Sequence, residues 1–226
     1  MKSNILLNIP QNLVATFIPD KKMKKTILLL LLVLFLVPQL FGQVRFGLKA
    51  GLNLSNVKNF GLGSTKVKAA ANGGFFIKVP IIKKFLLQPE ILYSSKGFLF
   101  PKTDSTASGK VTLNYISVPI LISFKISDNF LLMLGPELNF ITNAKSKSAN
   151  RNNDISNNFR KFDMAIDFGT AYNLKNGLGI EFRYSHGFED LANVIKTDQL
   201  GNYLGTQKQG SNRVMQIGLF YIFPKK

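Results

Sequence analysis

The chain lacks several residue types, and each absence removes a class of function. Its 226 residues contain no Cys, no Trp and a single His. Without cysteine the chain can form neither a disulfide framework nor a thiolate metal site. The carboxylates and His186 do not recur at the spacings that zinc or other metal sites need. The sequence therefore predicts a protein without a bound metal or cofactor.

Acidic residues are also scarce, since 12 Asp and Glu face 29 Lys and Arg, and the net charge is +17. Such an excess is typical of proteins that contact nucleic acid, of proteins that contact anionic membrane surfaces, and of proteins that need the charge only for solubility. The cellular location of the chain decides among these, because an exported protein rarely meets nucleic acid.

A hydrophobic run long enough to span a bilayer as a helix is missing. The most apolar stretch covers 11 residues, Ile27–Val37, and ends at Pro38; at about 1.5 Å per residue it reaches roughly half of a ~30 Å hydrocarbon core. It follows the basic Met23-Lys24-Lys25 and precedes "PQLFGQ", the order of a secretory signal peptide. An uncleaved anchor and a buried helix are the alternatives. The predicted organisation is an upstream extension from a misassigned start at 1–22, a signal peptide at 23–42 and an exported domain at 43–226.

Helical periodicity is almost absent after residue 43, where apolar and polar residues alternate in eight segments. The clearest are "VRFGLKAGLNLS" at the start, "FDMAIDFG" and "GLGIEFRYSHG" later, and the C-terminal "VMQIGLFYIF". Four noisier segments are predicted strands at 72–80, 85–96, 111–125 and 130–142. Pro89, Pro119 and Pro136 lie inside three of them. Proline removes a ladder donor, so we expect local β-bulges at these positions.

The connections between these segments alternate strictly between short and long. The short ones are "IIKK", "SDN" and "KN", and the long ones cover 56–71, 97–110, 143–161 and 187–212. In an up-and-down barrel this alternation places all short turns at one end and all long loops at the other, as in bacterial outer-membrane proteins. The predicted fold is therefore all-β, an eight-stranded antiparallel up-and-down transmembrane β-barrel.

Two features of the polar faces favour a membrane barrel over a lipocalin-like soluble barrel, whose apolar face would point inward. Glycines lie at the same alternate positions as the polar residues, and so on the same face of the strands, as expected where side chains crowd a narrow lumen. Charged residues of both signs also lie on this face, which suits pairing in a confined space. The predicted lumen charge network consists of Lys49, Lys78, Glu90, Glu137, Asp163, Asp167, Glu181 and Arg183. It is interpreted as a structural plug of ion pairs, with a narrow ion path as the alternative.

Five segments resemble, in order, those of the outer-membrane β-barrel family of Bacteroidetes-type bacteria, the porin-family or PorT-like proteins. They are "FGLKAGLNLSNV", "YISVPILISFKI", "GPELNFIT", "FDMAIDFGTAYNL" and "EFRYSHGFEDLANV". The resemblance covers essentially residues 44–223 and includes the strand prolines. It implies the barrel fold and an outer-membrane location; PorT itself is a secretion-system component, a role that its relatives need not share.

The long loops are the best candidates for function, since binding concentrates on loops held by a rigid scaffold. The third, "NAKSKSANRNNDISNNFRK", is rich in basic residues. Lys145, Lys147 and Arg151 are predicted contacts for lipopolysaccharide phosphates, at about 1 kcal/mol per well-placed charge. The alternative is a solvated loop without a ligand.

Catalysis would need a nucleophile and a base, and His186 beside Ser185, with Glu189 and Asp190 nearby, is the one arrangement that offers them. Neighbours in sequence do not make a triad, so no catalytic residue is predicted. We expect an exported, monomeric, non-enzymatic outer-membrane barrel with a structural or surface-interaction role, in contact with lipid and lipopolysaccharide and not with nucleic acid. A small pore or a secretion-system accessory barrel is the alternative, and a rim-located lipid-modifying enzyme is a third.

Overall fold

A computed structural model describes residues 44–58, 65–102, 107–148, 151–188, 191–197 and 203–224. The upstream extension predicted at 1–22 and the signal peptide predicted at 23–42 lie outside these residues. The chain from Gln43 to Lys226 forms one compact unit. In the ranges given above, no helix is both long enough and apolar enough to cross a bilayer.

Eight strands build the barrel, and three shorter strands belong to the long connections. The barrel strands are β1 (Arg45–Lys58), β2 (Lys66–Ile82), β3 (Phe85–Phe100), β4 (Gly109–Lys125), β5 (Phe130–Ser148), β7 (Phe162–Asn173), β8 (Leu178–Gly187) and β11 (Ser211–Ile222). The shorter strands are β6 (Arg151–Asp154), β9 (Ala192–Thr197) and β10 (Tyr203–Gln209). Short 3-10 turns cover Ser156–Asn158 and Lys175–Gly177.

The eight barrel strands pair in one closed antiparallel ring. Each pairs with its neighbours in chain order, and the ring closes where β1 meets β11, with Gly51 opposite Gly218. The predicted eight-stranded up-and-down barrel is confirmed. The short turns at 83–84, 126–129 and 174–177 lie at one end, and the longer connections lie at the other.

Alternation along each strand divides the side chains between lumen and exterior as the sequence predicted. On β8, for example, Ile180 and Phe182 are exposed while Glu181 and Arg183 are buried. The exposed aliphatic band is bounded by aromatic residues at both ends. The register sets Tyr93, Ile116, Phe140 and Phe162 side by side near the long-loop end. At the short-turn end the rings of Phe85 and Phe124 are 5.1 Å apart. This is the pattern of a lipid-facing band between aromatic girdles.

Most barrel strands are longer than predicted, and the long loops are correspondingly shorter. Strand β5 continues to Ser148, so part of the segment predicted as a loop at 143–161 is paired with β4 on one side and with β6 on the other. Likewise, β9 and β10 form a hairpin within the connection predicted at 187–212. Apolar alternation fades in these extensions because the outward face lies beyond the lipid and becomes polar, so the sequence signal ends before the strands do.

The prediction of β-bulges at the strand prolines is wrong. The registers of β3 with β4 and of β4 with β5 are the same on both sides of Pro89, Pro119 and Pro136, and the β5–β7 register is unbroken. A missing proline donor removes a hydrogen bond but adds no residue to either strand, so the register is preserved. Register shifts occur instead at Val67/Asn72, Pro80/Ile82 and Asn114/Tyr115.

The lumen is built in three layers. An apolar floor at the short-turn end consists of Phe76, Leu86, Leu121, Leu131, Met133, Ala171, Phe220 and Ile222. An apolar roof at the long-loop end consists of Val57, Phe98, Val111, Leu113, Tyr115, Ala144, Phe159 and Leu191. Polar and charged side chains fill the level between them. The charged residues of the candidate site therefore lie between two packed apolar layers.

Candidate functional site

Lys49 joins three strands in the middle of the lumen. Its Nζ lies 2.9 Å from Glu90 Oε2 on β3 and 2.6 Å from Glu181 Oε1 on β8. Since β3 and β8 each lie two places from β1 in the ring, this ammonium bridges strands that do not pair with one another. A buried charge is tolerated where such partners surround it.

Arg183 on β8 is the largest fully buried side chain of the described residues. Its guanidinium donates two hydrogen bonds to the Glu90 carboxylate, at 3.1 and 2.9 Å. It also lies 2.9 Å from Glu181 Oε1 and 3.3 Å from Asp167 Oδ2. The fork of Arg suits this bidentate arrangement, and the result is a five-residue cluster of two cations and three carboxylates that we call the central cluster: Lys49, Glu90, Asp167, Glu181 and Arg183.

A second, smaller cluster lies nearer the roof. Lys96 Nζ is 2.6 Å from Glu137 Oε1 and donates to Asn139 Oδ1 at 2.9 Å. Ser117 donates its hydroxyl to the same Asn139 oxygen. Lys96 was not among the predicted lumen residues, although it shares the parity of Glu90 on β3 and that signal could have located it.

Two further predicted lumen residues lie on either side of the central cluster, one towards the floor and one towards the roof. Lys78 is buried at the floor, where its Nζ is 4.7 Å from the Phe220 ring centroid and 5.5 Å from that of Phe76, a cation–π arrangement. Asp163 lies towards the roof and accepts a hydrogen bond from Asn212 Nδ2 at 3.1 Å. The other six predicted lumen residues, Lys49, Glu90, Glu137, Asp167, Glu181 and Arg183, all make ion pairs.

Charge inside the described lumen is balanced. The buried ionisable residues are Lys49, Lys68, Lys78, Lys96 and Arg183 against Glu90, Glu137, Asp163, Asp167 and Glu181. The large positive excess of the chain is therefore carried outside the lumen. Tight pairing of this kind holds the strands together and leaves no single-sign field that would draw one class of ion inward.

The three predicted loop cations lie on strands rather than on an irregular loop. Lys145 and Lys147 are exposed on β5, and Arg151 begins β6. Lys145 is opposite Asp154, whereas Lys147 is opposite Asn152 on one side and Lys110 on the other. Backbone and side-chain hydrogen bonds from Ser156 lower the pKa of Asp154, so that carboxylate stays charged beside Lys145.

The arrangement around His186 does not form a nucleophile–base pair with Ser185. Ser185 is buried in the lumen, and His186 lies on the outer face between Tyr184 and Phe188, with ring centroids 6.1 and 5.8 Å away. Adjacent residues of one strand point to opposite faces. Glu189 and Asp190 lie outside the described residues. In the part of the chain that the structure describes, no group of His, Asp and Glu side chains is arranged to hold a metal ion.

A closed eight-stranded ring with an aliphatic exterior, aromatic girdles and a charged interior defines an outer-membrane β-barrel. The sequence comparison agrees, since residues 38–193 match the model of the outer membrane protein beta-barrel domain. The chain belongs to this family, which locates it in the outer membrane. The comparison with curated proteins gives no match.

Solved structures with the same architecture include Neisserial surface protein A, at 12% identity and a TM-score of 0.50, covering 79% of this chain and 97% of that protein. The attachment invasion locus protein Ail of Yersinia pestis is 16% identical, with a TM-score of 0.47 and coverage of 79% and 98%. OprG of Pseudomonas aeruginosa is 15% identical, with a TM-score of 0.38 and coverage of 80% and 95%. The likeness to Neisserial surface protein A, at 12% identity, shows the fold alone.

Proposed function

We propose that this chain is a non-enzymatic outer-membrane barrel with a closed lumen, and that its role is structural or lies in surface interaction at the long-loop end. One observation carries the proposal: the ion-paired middle of the lumen is packed between the apolar floor and the apolar roof. An ion crossing this interior would have to shed its water at two apolar layers and then displace paired charges. The interior of an eight-stranded barrel is just wide enough for side chains to fill, which also favours a plug.

The permeability of proteoliposomes tests this proposal. Vesicles that contain the purified barrel should swell in a small sugar or a small salt no faster than protein-free vesicles do. A variant with Phe76→Ala and Phe220→Ala in the floor, and Phe98→Ala in the roof, serves as the opened comparison. Swelling of the wild-type vesicles at a rate proportional to the amount of barrel would favour the pore alternative instead.

The resemblance to PorT-like proteins of Bacteroidetes supports a second candidate, an accessory barrel of a secretion system. Such a role requires a stoichiometric protein partner in the outer membrane. Copurification from outer membranes in mild detergent distinguishes the two candidates: a monomer without a stoichiometric partner fits the stand-alone role, and a fixed-ratio partner fits the accessory role.

The non-enzymatic part of the proposal is supported by the separation of Ser185 and His186 on opposite faces. Its test is the mass spectrum of lipid A from cells that lack or overproduce the protein, and the acylation pattern should be unchanged.

Export by a cleaved signal peptide at 23–42, with translation from Met23, is tested by N-terminal sequencing of the precursor and of the mature protein. A precursor peptide from residues 3–21 would contradict the proposed start.

A further inference from the structure

Three lysines from different strands meet on the outer wall at the long-loop end, beyond the lipid-facing band. The register sets Lys66 opposite Leu99, Leu99 opposite Lys110, and Lys110 opposite Lys147. These four residues therefore form one lateral row across β2, β3, β4 and β5. They line a cleft of about 470 Å³, together with Phe100, Pro101, Ser108 and Gly109. We call it the lysine cleft.

Within the described residues, the lysine cleft concentrates positive charge that no carboxylate compensates. Like charges directly opposite on paired strands destabilise a sheet, and Lys110 and Lys147 are such a pair. Among the described residues, none of the cleft's three lysines has a carboxylate within ion-pair distance, and all three side chains are exposed. The strand register adds a contrast, because Lys145 is opposite the carboxylate of Asp154. The residues opposite the three cleft lysines are Leu99, Asn152 or another lysine of the cleft. Over the described ranges of the chain, the cleft therefore gathers three cations that no carboxylate opposes across the strands.

The spacing of the row favours a ligand with more than one anionic group. Neighbouring strands lie about 4.8 Å apart, so Lys110 and Lys147 are close enough to share one phosphate. Lys66 is two strands from Lys110, about 10 Å away by the same spacing. Leu99 lies between them, and together with the half-buried Phe100 and Pro101 it forms the apolar surface of the cleft. A saccharide ring with phosphates on either side fits this order of charge, apolar surface and charge.

The height of the cleft indicates which layer the ligand occupies. Lys110 is six residues beyond Ile116, which marks the upper aromatic row on β4. At ~3.3 Å per residue and a tilt of about 40°, this places the cleft roughly 15 Å above the apolar band. The headgroup layer on each side of the hydrocarbon is only about 5–7 Å thick. The lysine cleft thus lies among surface saccharides and not at the level of the acyl chains.

We propose that the lysine cleft binds a saccharide that carries two or more phosphate groups, through Lys110 and Lys147 at one phosphate and Lys66 at another. The saccharide can belong to a glycolipid of the outer leaflet or be free in solution, since both present the same chemistry. The inference deepens the proposed surface-interaction role and rests on it for the outward orientation of the long-loop end.

The test measures binding to the full-length mature barrel in neutral-lipid nanodiscs. The probes are a deacylated, bisphosphorylated glucosamine disaccharide, its dephosphorylated form and inorganic phosphate. The bisphosphorylated probe should bind, the dephosphorylated one should not, and inorganic phosphate should bind at least tenfold more weakly. A second arm uses nanodiscs that contain a glycolipid whose phosphorylated saccharide extends beyond the headgroup layer to the height of the cleft, and it measures whether this glycolipid excludes the soluble probe. Exclusion assigns the cleft to the glycolipid, and free access assigns it to a soluble saccharide.

Matched variants distinguish binding at the lysine cleft from a general attraction of the anionic probe to the positively charged barrel. Lys110→Ser with Lys147→Ser should weaken binding of the bisphosphorylated probe at least tenfold, and Lys66→Ser should weaken it severalfold. Lys161→Ser is the matched control for Lys66→Ser, and Lys83→Ser with Lys84→Ser at the short-turn end is the matched control for the double variant; both controls should change binding less than twofold. Equal losses in all the paired variants, or no binding by the wild-type barrel, would overturn the proposal. Vesicle swelling by the same preparations reports on the closed lumen separately, so either proposal can fail alone.

Discussion

At the scale of single residues, Arg183 shows how this lumen accommodates charge. Three carboxylates from β3, β7 and β8 surround its guanidinium. Removing one partner from a buried ionic cluster leaves uncompensated charge, which costs more than the cluster as a whole contributes. The residues of this cluster could be predicted from strand parity alone, but their partners could not, since pairing depends on side-chain reach across the lumen.

We therefore expect Arg183→Ala to lower the free energy of unfolding by about 3–5 kcal/mol. Glu90, Asp167 and Glu181 would then repel one another in a buried site. Urea unfolding of the barrel in lipid vesicles measures this, with the exposed Arg45→Ala at the short-turn end as the charge-matched control, within about 0.5 kcal/mol of wild type. A loss for Arg183→Ala no larger than for Arg45→Ala would show that the cluster is not structural.

Gly179 illustrates why glycines occur at strand positions that face the lumen. A Cβ at this position would lie 2.0 Å from Cζ of Phe220, whose ring packs edge-on against Phe76 in the floor. We expect Gly179→Ala to reduce stability by about 1–3 kcal/mol, because the ring must shift within a packed layer.

A double-mutant cycle checks this cause. In a Phe220→Leu background the clash is relieved, so the added methyl at residue 179 should reduce stability less than it does in the wild-type background. The same loss in both backgrounds would mean that backbone propensity, and not the contact with Phe220, sets the effect.

At the scale of elements, the sequence predicts the strands within the membrane far better than those above it. Lipid on one side and crowded side chains on the other impose a strict alternation, as on β8. Above the girdle the outward face no longer meets lipid, so the alternation weakens and the sequence predicts a loop for the end of β5 and all of β6. The strand prolines cause a different error: they predict β-bulges, but the register of the paired strands stays constant at all three prolines.

The pairing of β5 with both β4 and β6 predicts that the Lys145–Lys147 segment resists trypsin in the folded barrel. A protease needs a locally opened, extended substrate, and this segment is hydrogen-bonded on both sides. Asn152→Pro with Asn153→Pro removes the N–H groups of two adjacent β6 residues, one of which faces β5. This double variant should speed cleavage after Lys145 or Lys147 at least several-fold, measured by mass spectrometry of timed digests. Rapid cleavage in the wild-type barrel would restore the interpretation of a solvated loop.

At the scale of the whole molecule, the fold could be predicted from alternation and connection lengths, because those two patterns alone describe an even-stranded up-and-down barrel. The layering of the lumen could not. The layers depend on which inward-facing residues lie at the same height along the barrel axis, and this height is set by the tilt and register of the strands. The row of Lys66, Lys110 and Lys147 was hidden for the same reason, since its members are far apart in sequence and become neighbours only through three successive registers.

The central claim, that packed apolar layers close an ion-paired lumen, is tested most directly by single-channel recording in planar bilayers. Incorporation of the folded barrel should be verified independently, by flotation of vesicles made from the same preparation. The account predicts no steady ohmic conductance from the wild-type barrel across symmetric salt. A steady ohmic conductance that Glu137→Ala or Arg183→Ala abolishes would contradict it and would make the lumen charges an ion path.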